Sequence, residues 1–266
     1  MNKLELHSVA FEVTRRCNLK CVGFCMRGEA QNFDMTKEMV DAFFDTESRG
    51  YILDSIHNLY FTGGEPTLKP EIIIYTINKI IEENIPVCNI TMVTNGQLFV
   101  LELVDAFNRF NKYRSWYVKN KLQTGKEIRL SEIIEYIMNK NYAKIVFSTD
   151  RFHAPIPENI RNLYSIYTKE VKLMDYAVKD EYIVRIGLSS IGKDFKKEEC
   201  EYDKVTEDHL IIWKNVYMTA KGDIMFGGDG SYQYIDDNII GQVNQVSVFA
   251  SAETHNQKKL NYNKFS

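Results

Sequence analysis

Residues 14–28 read Thr-Arg-Arg-Cys-Asn-Leu-Lys-Cys-Val-Gly-Phe-Cys-Met-Arg-Gly, and they place Cys17, Cys21 and Cys25 on one loop with three residues in each gap. A strand pattern at residues 7–13 directly precedes this loop. Three thiolates from one loop can bind three irons of a cubane cluster and leave the fourth iron open to a ligand that is not protein. Zinc sites usually show Cys-x2-Cys pairs and a fourth ligand, and this loop has neither. The loop therefore predicts an iron–sulfur cluster, with a zinc site or three incidental thiols as the alternatives.

The five cysteines are an odd number, and three of them lie within nine residues. Cys88 and Cys200 stand far from that loop and from each other. This distribution argues against a disulfide framework and for one metal or redox site in a reducing compartment. Cys88 begins an apolar strand pattern, so we expect a small core residue there.

The composition is that of an ordinary globular protein, with 44% hydrophobic and 26% charged residues in a chain of 266. No segment approaches the ~20 uninterrupted apolar residues of a membrane helix. Residues 1–13 lack the apolar run and the cleavage site of a signal peptide. We therefore expect a cytoplasmic protein without a membrane partner. The formal charge of −3 and the lack of a long basic run do not indicate a nucleic-acid partner.

Strand and helix patterns alternate along the chain. Strand patterns lie at residues 7–13, 56–61, 89–93, 144–147 and 182–188. Helical patterns lie at residues 36–48, with Thr36 as N-cap, and at residues 72–81, 98–110, 130–139 and 157–176. Polar and aromatic residues without a clear period predict an irregular excursion at residues 111–126 and a charged loop at residues 190–204. Residues 213–219 and 223–226 predict a strand pair around the turn Ala220-Lys221-Gly222.

This alternation predicts an α/β fold with a parallel sheet. Five or six strands are fewer than the eight of a complete barrel, so we expect an open, partial (β/α)6-type barrel. We assign residues 1–190 to this core and residues 191–266 to a small C-terminal region of hairpin, cap and polar tail packed on it. Since parallel strands end at one edge of the sheet, polar motifs after successive strands form one functional rim.

Polar motifs follow the second, third and fourth predicted strands. Thr62-Gly63-Gly64-Glu65-Pro66 follows the second, where the glycines permit close backbone approach and Glu65 offers a carboxylate to an ammonium group. By itself Gly-Gly-Glu-Pro is more often a tight turn than a site. Thr94-Asn95-Gly96 and Ser148-Thr149-Asp150 follow the next two strands, and alone each is a common turn or helix approach. Ser148 and Asp150 are two residues apart, so they face the same way on a strand.

Together, the cysteine loop and the Gly-Gly-Glu-Pro motif resemble the radical S-adenosylmethionine (SAM) superfamily, whose usual cysteine gaps are three and then two residues. Here the second gap is three residues. Phe24 occupies the aromatic position before the last cysteine, and Met26-Arg27-Gly28 is similar to a common continuation. The resemblance covers roughly residues 9–188. It implies an enzyme in which a 4Fe-4S cluster reductively cleaves SAM to a 5′-deoxyadenosyl radical that abstracts hydrogen from a substrate.

The resemblance also implies roles for individual residues. The cluster ligands are Cys17, Cys21 and Cys25, and the SAM contacts are Phe24, Gly63, Gly64, Glu65, Asn95, Ser148 and Asp150. In the family, the segment around Glu65 receives the amino group of the methionine moiety of SAM. Asp150-Arg151-Phe152-His153 resembles a recurrent sequence in one branch of the superfamily. His153 is a candidate for hydrogen bonding to substrate or for proton transfer, and a structural histidine is the alternative.

Residues 215–232 resemble the hairpin that begins an auxiliary-cluster domain in peptide-modifying relatives. Those relatives carry cysteines directly after the hairpin, whereas this chain has Gly227, Gly228 and Asp229, so we expect no second cluster. The expected substrate is a peptide or peptide-derived natural product, with small-molecule rearrangement, nucleotide chemistry or methyl transfer as alternatives. A reducing partner such as a flavodoxin or ferredoxin is implied. The rival interpretation, based on the irregular second cysteine gap and the missing auxiliary cysteines, is a non-enzymatic metal-binding or interaction protein on a degenerate barrel.

Overall fold

The computed structural model describes the chain in ten segments: residues 2–21, 25, 27–47, 51–125, 128–138, 141–149, 153–176, 209–213, 215–228 and 230–244. Several predictions from the sequence lie outside the described residues. They are the strand at residues 182–188, the loop at 190–204, Cys200, and the polar tail after Asn244.

Strands and helices alternate through most of the described chain. The strands are β1 (Asn2–Thr14), β2 (Tyr51–Gly63), β3 (Val87–Thr94), β4 (Ala143–Ser148), β5 (Lys172–Tyr176), β6 (His209–Ile212), β7 (Val216–Met218), β8 (Asp223–Phe226) and β9 (Gly241–Gln242). The helices are α1 (Lys37–Phe44), α2 (Pro70–Glu82), α3 (Leu101–Thr124), α4 (Leu130–Ile137), α5 (Glu158–Tyr167) and α6 (Tyr232–Asp237). One 3-10 turn, Pro66–Leu68, lies between β2 and α2.

The described strands form one sheet in the order β5-β4-β3-β2-β1-β7-β8-β9, with β6 also paired to β1. Strands β1 to β5 run parallel, and the other edge of β1 pairs in parallel with β6 and then with β7. The described sheet is open and has helices between its parallel strands, as in a partial barrel. This confirms the predicted α/β fold class.

The carboxyl ends of the first four strands lie nearly level at one edge of the sheet. Thr14 at the end of β1 pairs with Gly63 of β2, and Thr94 at the end of β3 pairs with Phe147 of β4. The segments that follow these strands are therefore neighbours, although the sequence separates them by 30 residues or more.

Helices α1, α2 and α3 cover one face of the sheet. The fully buried Phe11 of β1 lies edge-on to Phe43 of α1, with ring centroids 5.0 Å apart, and Phe61 of β2 contacts Phe107 of α3 at 6.2 Å. Such edge-to-face pairs add to the free energy of burial. Helix α1 begins where predicted, because the Thr36 side chain accepts a hydrogen bond from the backbone of Met39.

The predicted excursion at residues 111–126 is wrong, because α3 continues through it to Thr124. Its buried positions there include Asn111 and Arg114, so the apolar period that marks a helix is missing from the sequence. Asn111 accepts hydrogen bonds from the backbone of Tyr142 at 2.8 Å and of Ala143 at 3.3 Å. A polar side chain therefore fastens the helix to the start of β4.

The predicted helix at residues 157–176 is wrong in its second half. Helix α5 ends at Tyr167, and β5 (Lys172–Tyr176) pairs in parallel with β4. Most side chains of β5 are exposed, so the sequence lacks the alternation that indicates a strand. The long-range pairing with β4 decides its conformation.

The predicted strand pair near the C-terminus is confirmed as the antiparallel pair β7 and β8. Gly222 takes a positive φ of 83° in the turn between them. The pair joins the main sheet at β1. Cys88 is a buried residue of β3, as predicted. No helix in the described part of the chain has the length and hydrophobicity needed to cross a bilayer.

Candidate active site

The cysteine segment leaves the carboxyl end of β1 and returns beside it. The backbone of Met35 donates to Val13, Arg15 donates to Phe33, and Gln31 donates to Arg15, at 2.8–3.0 Å. These bonds form a short antiparallel stem. The three cysteines lie between its two strands, on one closed loop at the rim of the sheet.

All three thiols of this loop are half-buried. The backbone of Cys25 donates to the carbonyl of Cys21 at 3.2 Å, and the backbone of Leu19 donates to Cys17 Sγ at 3.4 Å. Burial raises the pKa of the Cys17 thiol, and the charges of Glu65 and Cys25 add to this effect. In the described part of the chain, no three His, Cys, Asp or Glu side chains converge as ligands of a single ion.

The donor set suits an iron–sulfur cluster, because soft thiolates are the usual ligands of such clusters. A thiol must lose its proton to bind iron, and burial of Cys17 disfavours the thiolate until a metal is present. Cys17, Cys21 and Cys25 thus have the ligand chemistry for the cluster that the sequence predicts.

The Gly-Gly-Glu-Pro segment packs directly on the chain that precedes Cys17. The backbone of Gly64 donates to Thr14, and the backbone of Glu65 donates to Arg16, both at 2.8 Å. A Cβ on Gly63 would lie 2.2 Å from the Thr14 carbonyl oxygen, and one on Gly64 would lie 2.3 Å from that of Arg16. Both glycines are therefore required by the close approach of the cysteine segment.

The Glu65 carboxylate is fully buried and joins the ends of β2 and β3. Its Oε1 accepts from the Thr67 backbone at 3.0 Å, the Thr67 hydroxyl at 2.6 Å and the Thr94 hydroxyl at 2.7 Å. Its Oε2 accepts from the Asn95 backbone at 2.8 Å. Burial raises the pKa of Glu65, although these four donors oppose the rise. Glu65 is thus a structural link, and its contact with SAM stays a prediction.

Asn95 extends this link to the cysteine loop. Its side-chain amide donates to Asn18 Oδ1 at 2.8 Å and lies 4.0 Å from Cys17 Sγ. Its carbonyl oxygen accepts from the backbone of Gln97 at 3.0 Å. The structure therefore brings three of the predicted site residues, Cys17, Glu65 and Asn95, into one continuous group of contacts.

The remaining predicted site residues are divided between the rim and undescribed positions. Ser148 is half-buried at the end of β4, on the same rim as Asn95. Phe24 and Asp150 lie outside the described residues. His153 is half-buried and begins a segment held at the rim by Gln97, whose amide donates to the carbonyls of Ala154 and Pro155.

Sequence reasoning missed a buried ionic group beside the cysteine loop. The Arg15 guanidinium binds Glu12 at 2.9 Å and Asp236 at 2.7 Å. Arg27 is also buried and donates to the carbonyls of Gly228 and Gly230. The position of both arginines close to cysteines was a usable signal, but the C-terminal partners Asp236, Gly228 and Gly230 lie about 200 residues away.

The described chain thus forms an open, largely parallel sheet with a cysteine loop and a glycine-rich turn together at its carboxyl rim. The family profile of the Radical SAM superfamily matches residues 11–153, which is more than half of the chain. The protein belongs to the radical SAM superfamily and is an enzyme of it. This membership favours the enzyme over the non-enzymatic binding protein.

The chain is also similar to several solved structures. One is native anSMEcpe with bound AdoMet and Kp18Cys peptide, at 12% identity and a TM-score of 0.50, over 93% of this chain and 80% of that one. Another is Streptococcus suis SuiB bound to precursor peptide SuiA, at 12% identity and a TM-score of 0.36, over 83% of this chain and 59% of that one. The first likeness supports the fold. No curated protein matches the chain in sequence.

Proposed function

We propose that this enzyme holds a 4Fe-4S cluster on Cys17, Cys21 and Cys25, and that it uses SAM to abstract hydrogen from a peptide or a peptide-derived substrate. When bound, the reduced cluster supplies the electron that cleaves SAM to the 5′-deoxyadenosyl radical. The contact of Asn95 with Cys17 and with Glu65 carries this proposal, because it joins the cysteine loop to the predicted SAM-binding turn.

The protein's own part is to position the thiols and to shape the SAM site. The glycines of the Gly63–Glu65 turn allow the cysteine segment to approach the end of β2, and Asn95 and Asn18 hold the start of the loop. We propose the SAM contacts that the family resemblance implies. They are Phe24, Gly63, Gly64, Glu65, Asn95, Ser148 and Asp150.

Glu65 has limited capacity for a further partner. A carboxylate offers about four acceptor positions. Oε1 already accepts three hydrogen bonds and Oε2 accepts one. In our proposal, Oε2 is therefore the atom that faces the amino group of SAM, with ionised Glu65 favouring that positive charge.

The proposed peptide substrate is supported by the sequence of the C-terminal hairpin and by a structural neighbour that contains a bound peptide. His153 stands in the segment that borders the rim, and we assign it to substrate binding or proton transfer. The reaction needs an external electron donor, and we propose a flavodoxin or ferredoxin in a reducing cytoplasm, where thiols persist.

The test is anaerobic reconstitution with iron and sulfide, reduction with dithionite, addition of SAM and chromatography for 5′-deoxyadenosine. We expect about four irons per chain and formation of 5′-deoxyadenosine in the wild type. Cys21→Ala should abolish the formation of 5′-deoxyadenosine. Cys88→Ala is the matched control, because Cys88 is a buried cysteine of β3 outside the loop.

Two outcomes would contradict the proposal. One is a single zinc per chain in place of iron and sulfide. The other is formation of 5′-deoxyadenosine by Cys21→Ala at the wild-type level. The substrate is tested separately, by mass spectrometry of candidate peptides incubated with enzyme and SAM. An unchanged mass in every peptide, under conditions that yield 5′-deoxyadenosine, would contradict the peptide assignment.

A further inference from the structure

Arg15 ties the chain just before Cys17 to helix α6. Its guanidinium donates to both oxygens of Asp236, at 2.7 and 3.1 Å, and to Glu12 at 2.9 Å. Its side chain is fully buried, and the guanidinium lies 4.5 Å from the centre of the Tyr232 ring. Two-pronged Arg–carboxylate pairs are strong and also fix orientation. The residue two positions before Cys17 therefore has one defined position against α6.

Arg27 makes a similar attachment just after Cys25. Its side chain donates to the carbonyls of Gly228 and Gly230, which follow β8. Its own carbonyl accepts from the backbone of Tyr232, the first residue of α6, at 2.9 Å. Gly228 has a positive φ of 100°, and a Cβ there would lie 2.2 Å from the Tyr217 ring. Glycine is therefore required for this carbonyl to face Arg27.

A third attachment joins β1 to the β7–β8 hairpin. The Tyr217 hydroxyl donates to Glu12 Oε1, and the Ala220 backbone donates to Glu12 Oε2, both at 3.0 Å. Tyr217 also packs with Ala10 and Ile235 in a small buried cluster. Glu12 thus shares one carboxylate between Arg15 and the hairpin, so hairpin, α6 and loop form one connected unit.

These contacts hold both flanks of the cysteine loop on the same C-terminal element. We infer that residues 216–228 and 230–237, here named the C-terminal clamp, hold both flanks of the cysteine loop so that the three thiols can converge on a cluster, with Arg15, Arg27 and Asp236 as positioning residues. Fixing both ends of a loop removes conformations in which its side chains are far apart, and that lowers the entropy lost when the ligands are ordered. The inference rests on the proposed function, because it assigns the loop to the cluster.

The Arg15–Asp236 pair joins a fully buried arginine to a carboxylate that is 31% exposed, and such a pair is weak evidence of a stabilising role. Position is the stronger argument. Arg15 and Arg27 lie two residues outside the first and last cysteine, and each reaches the same C-terminal element. A C-terminal element with only a stabilising role would not need to bind the chain on both sides of the cysteine loop.

The test compares Asp236→Asn with Glu132→Gln. The control breaks a second arginine–carboxylate pair, the buried Arg114–Glu132 pair at 2.6 Å, which joins α3 and α4 away from the loop. In metal-free protein, we measure the rate at which iodoacetamide alkylates each cysteine, by peptide mass spectrometry. We expect Asp236→Asn to raise the rate at Cys17, Cys21 and Cys25 about fivefold, because the loop opens more often. Glu132→Gln should leave those rates unchanged.

The second readout is the electron paramagnetic resonance spectrum of the reduced, reconstituted protein, with and without SAM. We expect Asp236→Asn to bind iron but to give a broadened spectrum that changes less when SAM is added. Asp236→Glu, which keeps the charge, should restore most of the wild-type spectrum. Arg27→Lys provides a second variant if Asp236→Asn fails to fold, and we expect it to raise the alkylation rates in the same way.

The inference is overturned if the loop cysteines of Asp236→Asn, or of Arg27→Lys in its place, are alkylated at the wild-type rate. It is also overturned if Glu132→Gln raises the alkylation rates of the loop cysteines as much as Asp236→Asn does. A wild type that assembles no cluster would contradict the proposed function. The alkylation rates would still decide the clamp in that case, because they are measured without metal.

Discussion

Replacing Glu65 with glutamine distinguishes the structural link from a pure SAM contact. The carboxylate is fully buried and accepts four hydrogen bonds, two of them from the backbone amides of Thr67 and Asn95. Glutamine retains one oxygen, which can serve the three donors of Oε1. Its amino group then faces the Asn95 N–H, and that donor loses its acceptor.

The expected loss of stability follows from this one donor. A hydrogen bond to a charged group contributes about 1.5–3 kcal/mol, and a buried N–H without an acceptor costs about 1–3 kcal/mol. Burial raises the pKa of Glu65, so glutamine also removes part of the cost of an ionised carboxylate. We therefore expect a net loss of about 2 kcal/mol. With a urea dependence of about 3 kcal/mol per M, the unfolding midpoint falls by about 0.7 M.

The assay is urea unfolding of reduced, metal-free protein, followed by circular dichroism. Glu82→Gln, at an exposed position of α2, is the control and should shift the midpoint by less than about 0.2 M. The pKa of Glu65 in the folded protein is raised above its ordinary value of 4.5, so the folded state binds this proton more tightly than the unfolded state does. Wild-type stability should then fall as pH rises above that value, and Glu65→Gln should lack this dependence.

One result would refute the reasoning. If Glu65→Gln unfolds at the wild-type urea concentration but binds SAM weakly, the carboxylate serves the cofactor and does not link the strand ends. A loss of both stability and SAM binding would support the structural link.

Two further predictions concern the same rim. Gly64→Ala should lower the unfolding midpoint by at least about 0.5 M urea, because its Cβ would lie 2.3 Å from the Arg16 carbonyl oxygen. The control Gly125→Ala, at a site with open space, should lower the free energy of unfolding by about 1 kcal/mol. Equal losses of stability in the two variants would count against the close approach at Gly64. Burial alone would raise the pKa of Asp34, but hydrogen bonds from Arg16 and Thr14 outweigh this effect and lower the pKa. The stability that ionised Asp34 contributes is present above the ordinary carboxyl pKa and is lost as pH falls, so Asp34→Asn should reduce the steepness of acid unfolding between about pH 5 and pH 2. Acid unfolding identical to that of the wild type would contradict the lowered pKa of Asp34.

Local patterns in the sequence were enough to predict the early strands and helices. Alternating and helical periods report which face of an element is buried, and that information lies within a few residues. The strand β1, the cap of α1 by Thr36 and the β7–β8 hairpin were predicted on this basis. The strand ends were less accurate, since β1 and β2 extend beyond the predicted ranges.

Errors occurred where buried positions are polar or where exposed strands lack a period. Arg114 is buried in α3 because Glu132 of α4 neutralises its charge, and nothing near Arg114 in sequence indicates that partner. Strand β5 is mostly exposed and depends on pairing with β4. In both cases a distant contact outweighs the local preference.

The sequence by itself determined the family, the parallel α/β architecture and the candidate ligands, because spaced cysteines and strand-end motifs are local features. Only the tertiary structure decided what the motif residues contact. It placed the Glu65 carboxylate against the end of β3, Asn95 against the cysteine loop, and Arg15 against Asp236. The physical reason is that a hydrogen bond or ion pair is specified by two positions at once. The second position becomes a neighbour only when the strands are assembled into a sheet.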